Sequence, residues 1–302
     1  MKKIGIAITD PDDWTAKALA DSIRKRGTEP FVFDLRHAKT GIGTGLDYKV
    51  NGTDLAGLDA IIVRDMGAGK NDAVTFRFDI LRQLESEGLL IANPPVAIQN
   101  AANKYHSSYL FSKAGLPAPR TKVVQDIDSA TEALASFNDA VLKPVFGYKG
   151  IGIYRIRNGD VIRPDGTEEH TDIEKLVSSL LEEKGMLYIQ EFVESSGKDT
   201  RAFVVDGKVI GAIYRRAAQG WWLNNLSQGG SAEQCTLTPV QESICERAAQ
   251  AVGAIYAGVD IIEGPGGSML LEINGTPSGA GIYKAWNTNV ADHIVEAVLK
   301  RL

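Results

Sequence analysis

Two acids interrupt apolar runs near the end of the chain. Residues 257–281 read AGVDIIEGPGGSMLLEINGTPSGAG, two apolar stretches around a Gly/Pro-rich turn, which is a hairpin signal. Asp260 breaks the first run and Glu272 the second. Asn274 lies two residues past Glu272, on the same strand face. If Asp260 pairs opposite Glu272, one face gathers their carboxylates and an amide oxygen. Such a charge needs a partner when half-buried, and facing carboxylates repel without a cation. Oxygen donors without His or Cys suit a hard ion, Mg²⁺ or Mn²⁺, with water and phosphate oxygens completing its shell. A pair of unrelated hairpin carboxylates would leave the same pattern.

A second group lies in LKPVFGYKGIG. Lys143 ends an apolar strand and precedes a loop with Gly147, Tyr148, Lys149, Gly150 and Gly152. Glycines let backbone N–H groups approach phosphate oxygens, although the spacing is not that of a P-loop and no helix follows. Lys149 alone would read as a solvated loop residue. Lys143, at the end of a buried strand, needs an anion. In MLYIQEFVE the strand breaks at Gln190-Glu191, and free backbone beside Phe192 could read an adenine edge. Arg201, Arg215 and Arg216 fall on the next hairpin, with the side chain suited to bidentate carboxylate or phosphate contacts. Lys104 precedes Pro117 on a helix and could equally be a surface residue.

The elements that must hold these groups follow from periodicity. Residues 1–95 alternate strand and helix: KIGIAI, a helix over 14–26, FVFDL, LDAIIVRDMG, the amphipathic TFRFDILRQLESEG closed by Gly88, and LLIAN. That alternation gives a doubly wound parallel sheet, the α/β part of the fold. Asp10, Arg64 and Asp65 end strands where such sheets present ligand groups, though capping and loop duty explain them as well. GIGTG follows FVFDLRHAKT without a helix after it, so it is a plain loop rather than a dinucleotide fingerprint. A single helix runs from Pro94 to Gly115. Beyond it the chain is α+β, built on antiparallel strands with an Asp206-Gly207 hairpin, a helix entered at Pro239 and a closing helix NVADHIVEAVLKRL. Three domains are expected, 1–95, 96–188 and 189–302.

Composition narrows the function. The 302 residues are 44% hydrophobic and 24% charged, the range of a soluble protein. No signal peptide or membrane-length apolar run is present, so no membrane association is expected. The net charge of −5 argues against general nucleic-acid binding. The two cysteines lack metal spacing and fit a reducing compartment, the cytoplasm. The four histidines form no cluster, and no Ser, Cys or His nucleophile constellation is evident.

Taken in order, Lys104, Lys143 before a Gly loop, QEFV, DTR, a hairpin, GVD and LEIN resemble the ATP-grasp superfamily of carboxylate–amine ligases, which clamp ATP between two α+β lobes. QEFVESSGKDTRAFVVDGKVIGAIYRRA, NLSQGGSA, AGVDII and LEINGTPSG are similar to the RimK-type α-L-glutamate ligases over essentially the whole chain. IIVRDMGAG, FRFDILRQLE, IANPP and KPVFGYKGIGI look closest to the tetrahydromethanopterin:α-L-glutamate ligases.

The resemblance implies roles for particular residues. Lys104 and Lys143 would bind ATP phosphates under the Gly147–Gly152 loop. Gln190, Glu191, Phe192 and Val193 would form the adenine hinge, and Asp199 would meet the ribose. Asp260, Glu272 and Asn274 would hold magnesium, with Glu272 bridging two ions. Arg201 and Arg215 would face the γ-phosphate or the acidic substrate. One departure stands out. RimK proteins carry Arg-Ser-Asn where this chain has Leu223-Asn224-Asn225, so Asn224 and Asn225 line an altered pocket. The preceding Trp221 and Trp222 offer flat surfaces to a planar acceptor.

The implied reaction joins L-glutamate to an acceptor carboxylate through an acyl phosphate, with ATP, Mg²⁺ or Mn²⁺, and a reduced pterin as acceptor. The alternatives are the same chemistry on a ribosomal protein tail or a deazaflavin cofactor, or a non-catalytic ATP sensor. A homo-oligomer is expected.

Overall fold

The computed structural model describes residues 2–43, 47–147, 151–216, 221–222 and 231–302. The first unit contains β1 (Lys3–Ala7), α1 (Trp14–Lys25), β2 (Glu29–Phe33), β3 (Ala38–Gly41), β4 (Asp47–Val50), β5 (Thr53–Asp54), β6 (Ala60–Val63), α2 (Asn71–Ser86) and β7 (Leu90–Ala92). Its main sheet runs β2-β1-β6-β7, parallel throughout. Strand β6, AIIV, is buried on both faces, which is why it reads as an unbroken apolar run. Ile62 joins the core under α1, while Ile61 and Val63 join the one under α2. The small antiparallel sheet β3-β4-β5 fills a stretch expected to be loop. Gly41 and Gly43 of GIGTG are described, and residues 44–46 lie outside the described residues.

The expected helix from Pro94 to Gly115 is two helices, α3 (Pro95–Ala102) and α4 (Lys104–Lys113). Asn103 breaks it with φ −90° and ψ 100°, and its side chain accepts from His106 N to cap α4. The break places Lys104 at the start of a helix, where its N–H donates to Val145 O at 3.1 Å. There follow β8 (Thr121–Val124), α5 (Ile127–Phe137), β9 (Asp139–Lys143), β10 (Tyr154–Arg157), β11 (Asp160–Ile162), β12 (Glu168–Glu169), α6 (Ile173–Lys184) and β13 (Leu187–Glu191). They build an antiparallel sheet β12-β11-β10-β9-β13-β8, with α5 and α6 closing its own core. Strand β13 crosses the expected 188/189 boundary but belongs whole to this sheet, so the lobe ends after Glu191.

The last unit holds β14 (Lys198–Val205), β15 (Lys208–Arg216), β16 (Ser231–Cys235), α7 (Pro239–Val252), β17 (Tyr256–Gly264), β18 (Gly267–Asn274), α8 (Ala280–Trp286) and α9 (Val290–Leu299). Its antiparallel sheet is ordered β16-β15-β14-β17-β18. Asp206 and Gly207, with φ 51° and 73°, make the tight turn expected there. Helix α8 was not anticipated. Among the described residues no helix is long and apolar enough to cross a membrane.

The first and last units are not separate. Ile4, Ile6, Leu19 and Ile23 share one core with Phe203, Val205, Ile213, Tyr256 and the buried face of α9. Asn93, fully buried, pins the two together. Its amide nitrogen donates to Tyr256 O and Gly275 O, both at 2.6 Å. Its oxygen accepts from Ile255 N at 2.6 Å and Tyr256 N at 3.0 Å. All of its bonding capacity is used, and each of those backbone groups would be orphaned without it. Asn93→Ala is therefore expected to lower the unfolding free energy by about 2–4 kcal/mol. Urea unfolding measures this, and a loss below about 0.5 kcal/mol would show that the pin is dispensable.

Candidate active site

The site begins with cross-strand register. Asp199 of β14 lies opposite Arg215 of β15, and Arg201 lies opposite Asp260 of β17. Alternation puts Asp199 and Arg201 on the face that carries Phe203 and Val205 further along the strand, so one face changes from apolar to charged. Arg215 grips Asp199 through two bonds, 2.6 and 2.8 Å, and reaches Asp260 at 2.7 Å. Arg201 grips Asp260 with two bonds of 2.7 Å. Asp260 is 1% exposed. Burial pushes its carboxyl up, but Arg201 and Arg215 outweigh that and hold it at about 2. Asp199 is raised, chiefly by burial and against the pull of Arg215. Burial alone would lower Arg215, yet Asp260 and Asp199 raise it above its ordinary value.

Glu272 faces Asp260 across the β17–β18 ladder, as the hairpin pattern predicts, and Asn274 pairs with Gly258. The repulsion expected between the facing carboxylates is absent because arginines neutralise Asp260. Glu272 is more open and loosely held, 3.5 Å from Lys104 Nζ and 3.8 Å from Arg201. Asn274 Oδ1 accepts from Thr276 N at 2.8 Å. A divalent ion fits Glu272 and Asn274 by charge and donor type. Asp260 differs from expectation, since its oxygens are already engaged by guanidinium groups. Among the described residues no cluster of three or more His, Cys, Asp or Glu side chains forms a metal cage.

Across the cleft, Lys143 donates to Gln190 Oε1 at 2.7 Å. Burial pushes Lys143 down to about 8, with Glu272 opposing and Lys104 adding to the shift. Gln190, 2% exposed, donates in turn to Tyr188 Oη and Thr121 Oγ1 at 3.1 and 3.2 Å, so it orients the lysine. Lys104 Nζ reaches Gly147 O at 3.2 Å. A Cβ on Gly147 would meet Pro144 Cγ at 2.5 Å, which explains the glycine. Gly152 has φ +73°. Tyr148, Lys149 and Gly150 lie outside the described residues, as do Asn224 and Asn225.

The hinge is narrower than the motif implied. Glu191 N donates to Arg120 O and Phe192 N to Asp139 O, both at 2.9 Å. The Glu191 carboxylate is turned to Arg120 at 2.6 and 2.9 Å. Among the described residues Val193 N–H has no partner, which leaves it as the available hinge donor. Arg155, which the sequence reading passed over, lies 3.4 Å from the Phe192 ring centroid and is held by Asp139 at 2.6 and 2.9 Å. Its only signal is a positive charge alternating with apolar residues in YRIR.

Trp222 stands edge-on to Phe192 at 6.1 Å and donates to Arg163 O at 2.6 Å. It belongs to the hinge end, not to an acceptor pocket as expected. Asp65 accepts from Thr9 and Gly67, and Asp10 from Asp12 N, so these strand-end acids serve loops. Burial pushes the Cys245 thiol up to about 12, far from a nucleophile's range.

Lys104, Lys143, Arg201, Arg215, Glu272 and Asn274 line one cleft of about 900 Å³ between the six-stranded lobe and the composite base, with residues 190–193 along it. Two antiparallel lobes closing on facing lysines and carboxylates define an ATP-grasp protein. The chain belongs to that superfamily's RimK-like branch: residues 101–298 match the RimK-like ATP-grasp domain. It is 52% identical to the tetrahydromethanopterin:alpha-L-glutamate ligase of Methanosarcina acetivorans, over 98% of each chain. It is 35% identical to the ligase of that name from Methanocaldococcus jannaschii, over 99% of this chain and 98% of the other. The fold superposes on the ATP-grasp ligase PsnB, solved with Mg, ADP and a variant of its minimal precursor, with TM-score 0.72 and 23% identity, over 100% of this chain and 98% of that one.

Lys143 yields a test with a definite sign. Its folded pKa of about 8 lies below the ordinary 10.5, so the charged form destabilises the fold below pH 8. That penalty fades as pH rises from about 8 towards 10.5. Lys143→Met should raise stability at pH 7 by on the order of 1–2 kcal/mol: roughly 3 from the removed penalty, less about 1 for orphaning Gln190. Urea unfolding across pH 7–10 should show the gain shrinking with pH. A gain that grows with pH would reject the buried-ammonium account.

Proposed function

We propose that the protein is an ATP-dependent ligase that joins L-glutamate to a carboxylate of a tetrahydromethanopterin-type acceptor, working in the cytoplasm. The observation that carries this reading is the single cleft in which Lys104, Lys143, Arg201 and Arg215 converge on Glu272 and Asn274. The identity to the two named archaeal ligases over nearly the whole chain supports the choice of acceptor.

In this reading the backbone at 191–193, with Val193 N–H as donor, reads the adenine edge beside Phe192. Lys104 and Lys143 hold the phosphates, together with Gly147, Tyr148, Lys149, Gly150 and Gly152. Asp199 keeps Arg215 aimed at the reacting end rather than meeting the ribose through a free carboxylate. Asn224 and Asn225 contribute to the acceptor side. Glu272, Asn274 and Asp260 would hold Mg²⁺ or Mn²⁺, with Glu272 serving both of two ions. The metal supplies charge neutralisation on the phosphates.

The acceptor carboxylate oxygen attacks the γ-phosphorus. The bond to the β-phosphate oxygen breaks, giving an acyl phosphate and ADP. The glutamate amine then attacks the acyl carbon, the amide C–N bond forms, and phosphate leaves with the amine's proton. Arg201 and Arg215 balance the charge that builds on the transferring group, and positioning supplies the rest.

The deciding experiment is phosphate release from ATP with L-glutamate and a panel of carboxylate acceptors, followed by product mass. Release should require both acids and a divalent ion, and a glutamyl adduct of the pterin should appear. Hydrolysis indifferent to every acceptor would overturn the reading. Glu272→Gln should cut turnover at least about a hundredfold and weaken Mg·ATP binding more than metal-free nucleotide. Its melting temperature in EDTA should stay close to wild type, because Glu272 is part-exposed and only loosely paired. Near-normal turnover with unaltered Mg²⁺ dependence would remove the metal assignment.

A further inference from the structure

We infer that Arg64 binds a carboxylate of one of the two acid substrates, at the end of the cleft formed by the first sheet. The inference rests on the ligase reading above. Arg64 follows β6, an interior strand of the parallel sheet, at the carboxyl end where such sheets take ligands. Its backbone N–H is fixed to Ala7 O at 2.8 Å. The residue is 4% exposed and lines the cleft.

The charge of Arg64 is poorly matched. A guanidinium has five N–H donors. Here one short bond forms, from a terminal nitrogen to the neutral carbonyl of Pro277 at 2.7 Å. Asp13, the nearest acid, is reached only at 3.4 and 3.5 Å and already accepts from Ala16 N at 2.6 Å to cap α1. The buried Tyr256 phenol, which donates to Val63 O, is a further polar neighbour of the guanidinium, and it too is neutral. The neighbouring carbonyls of Gly67 and Ala68 do not compensate it, because Arg77 draws them at 2.8 and 3.3 Å. A buried cation so weakly paired is costly unless an anion joins it.

Position and surroundings identify the anion. Pro277 lies over Gly258, where a Cβ would meet Pro277 at 2.9 Å, and it follows Asn274 in the loop that leaves the metal face. Arg64 is therefore anchored to the loop that follows Asn274. In the ligase reading the ATP phosphates are already met by Lys104 and Lys143. What remains to be bound is acid, and a planar carboxylate matches the guanidinium fork. Val74 and Ile98, which pack in the same cluster as Val63, add apolar lining to the cleft, suited to a substrate body that carries this carboxylate.

The test measures KM and kcat for ATP, L-glutamate and the pterin acceptor with wild type, Arg64→Lys and Arg64→Gln. In Arg64→Gln, KM for one of the two acids should rise at least about tenfold, and less in Arg64→Lys, while KM for ATP moves by less than about twofold. If the carboxylate is glutamate's, the wild-type preference over L-glutamine or isoglutamine should collapse in the variants. If it is the acceptor's, the preference over the acceptor amide should collapse instead. Either pattern supports the site and names its source. Unmoved KM values for both acids, or equal losses for ATP and the acids, overturn it. Should Arg64→Gln fail to fold, Arg64→Lys, which keeps the charge and a donor for Pro277, decides by the same split. An active wild type with unchanged variants rejects this inference alone. A wild type that forms no amide rejects the ligase reading and this inference with it.

Discussion

An ionised aspartate almost fully out of water is the constraint around which the last sheet is organised. Asp260 remains charged because strand register sets Arg201 directly opposite and brings Arg215, one strand further on, to the same Oδ2. Arg215 can lie there only because Asp199 holds it from across the next ladder. Slipping any of these strands by one residue would turn the whole set to the opposite face. Desolvation offsets much of what such a network gains, and well-packed apolar residues could replace it at little cost in stability. Its effect is to keep two guanidinium groups fixed beside Glu272 in a cleft where phosphate chemistry needs preorganised positive charge.

The second lobe meets this face with lysines held in a different way. Among the described residues Lys143 has no carboxylate within bonding distance, and it is oriented by the Gln190 amide, itself buried and tied to Tyr188 and Thr121. Its charge is therefore reserved for whatever enters the cleft. Lys104 is set by the chain break at Asn103, which starts a helix at that residue and ties it to the end of β9. Among the described residues lining the cleft, Arg64, Lys104, Lys143, Arg201 and Arg215 outnumber the carboxylates of Glu191, Asp199, Asp260 and Glu272, so it carries an excess of positive charge suited to polyphosphate.

Much of this was legible because it followed short-range rules. Acids at Asp260 and Glu272 within apolar strands, the Asp206-Gly207 turn and the unbroken apolar run of β6 each carry a local signature, and each lies where periodicity put it. What escaped was long-range. The partner of Asp260 was expected to be a metal, because nothing local says that Arg201 and Arg215 arrive by strand pairing. The sequence could not show that Phe192 N–H is taken by Asp139 O, or that Trp222 docks on residues 163–164, since both bonds join distant segments. The division of one helix at Asn103 was missed because an Asn within an apolar-periodic stretch reads as a tolerated helix residue until its side chain is seen capping the next turn.

The shared core of the first sheet and α9 has a consequence for how the chain comes to be folded. Ile4, Ile6 and Leu19 find their covering partners in Val290, Ile294, Val295 and Val298, almost the full chain length away. During synthesis that apolar face stays open until residues 290–298 have left the ribosome, whereas the core of the six-stranded lobe is drawn from its own stretch. The lobe can be complete while the base is still waiting for its final helix. Removal of α9 would expose the surface of the first strands, and misassembly would begin at the opposite end of the chain from the damage.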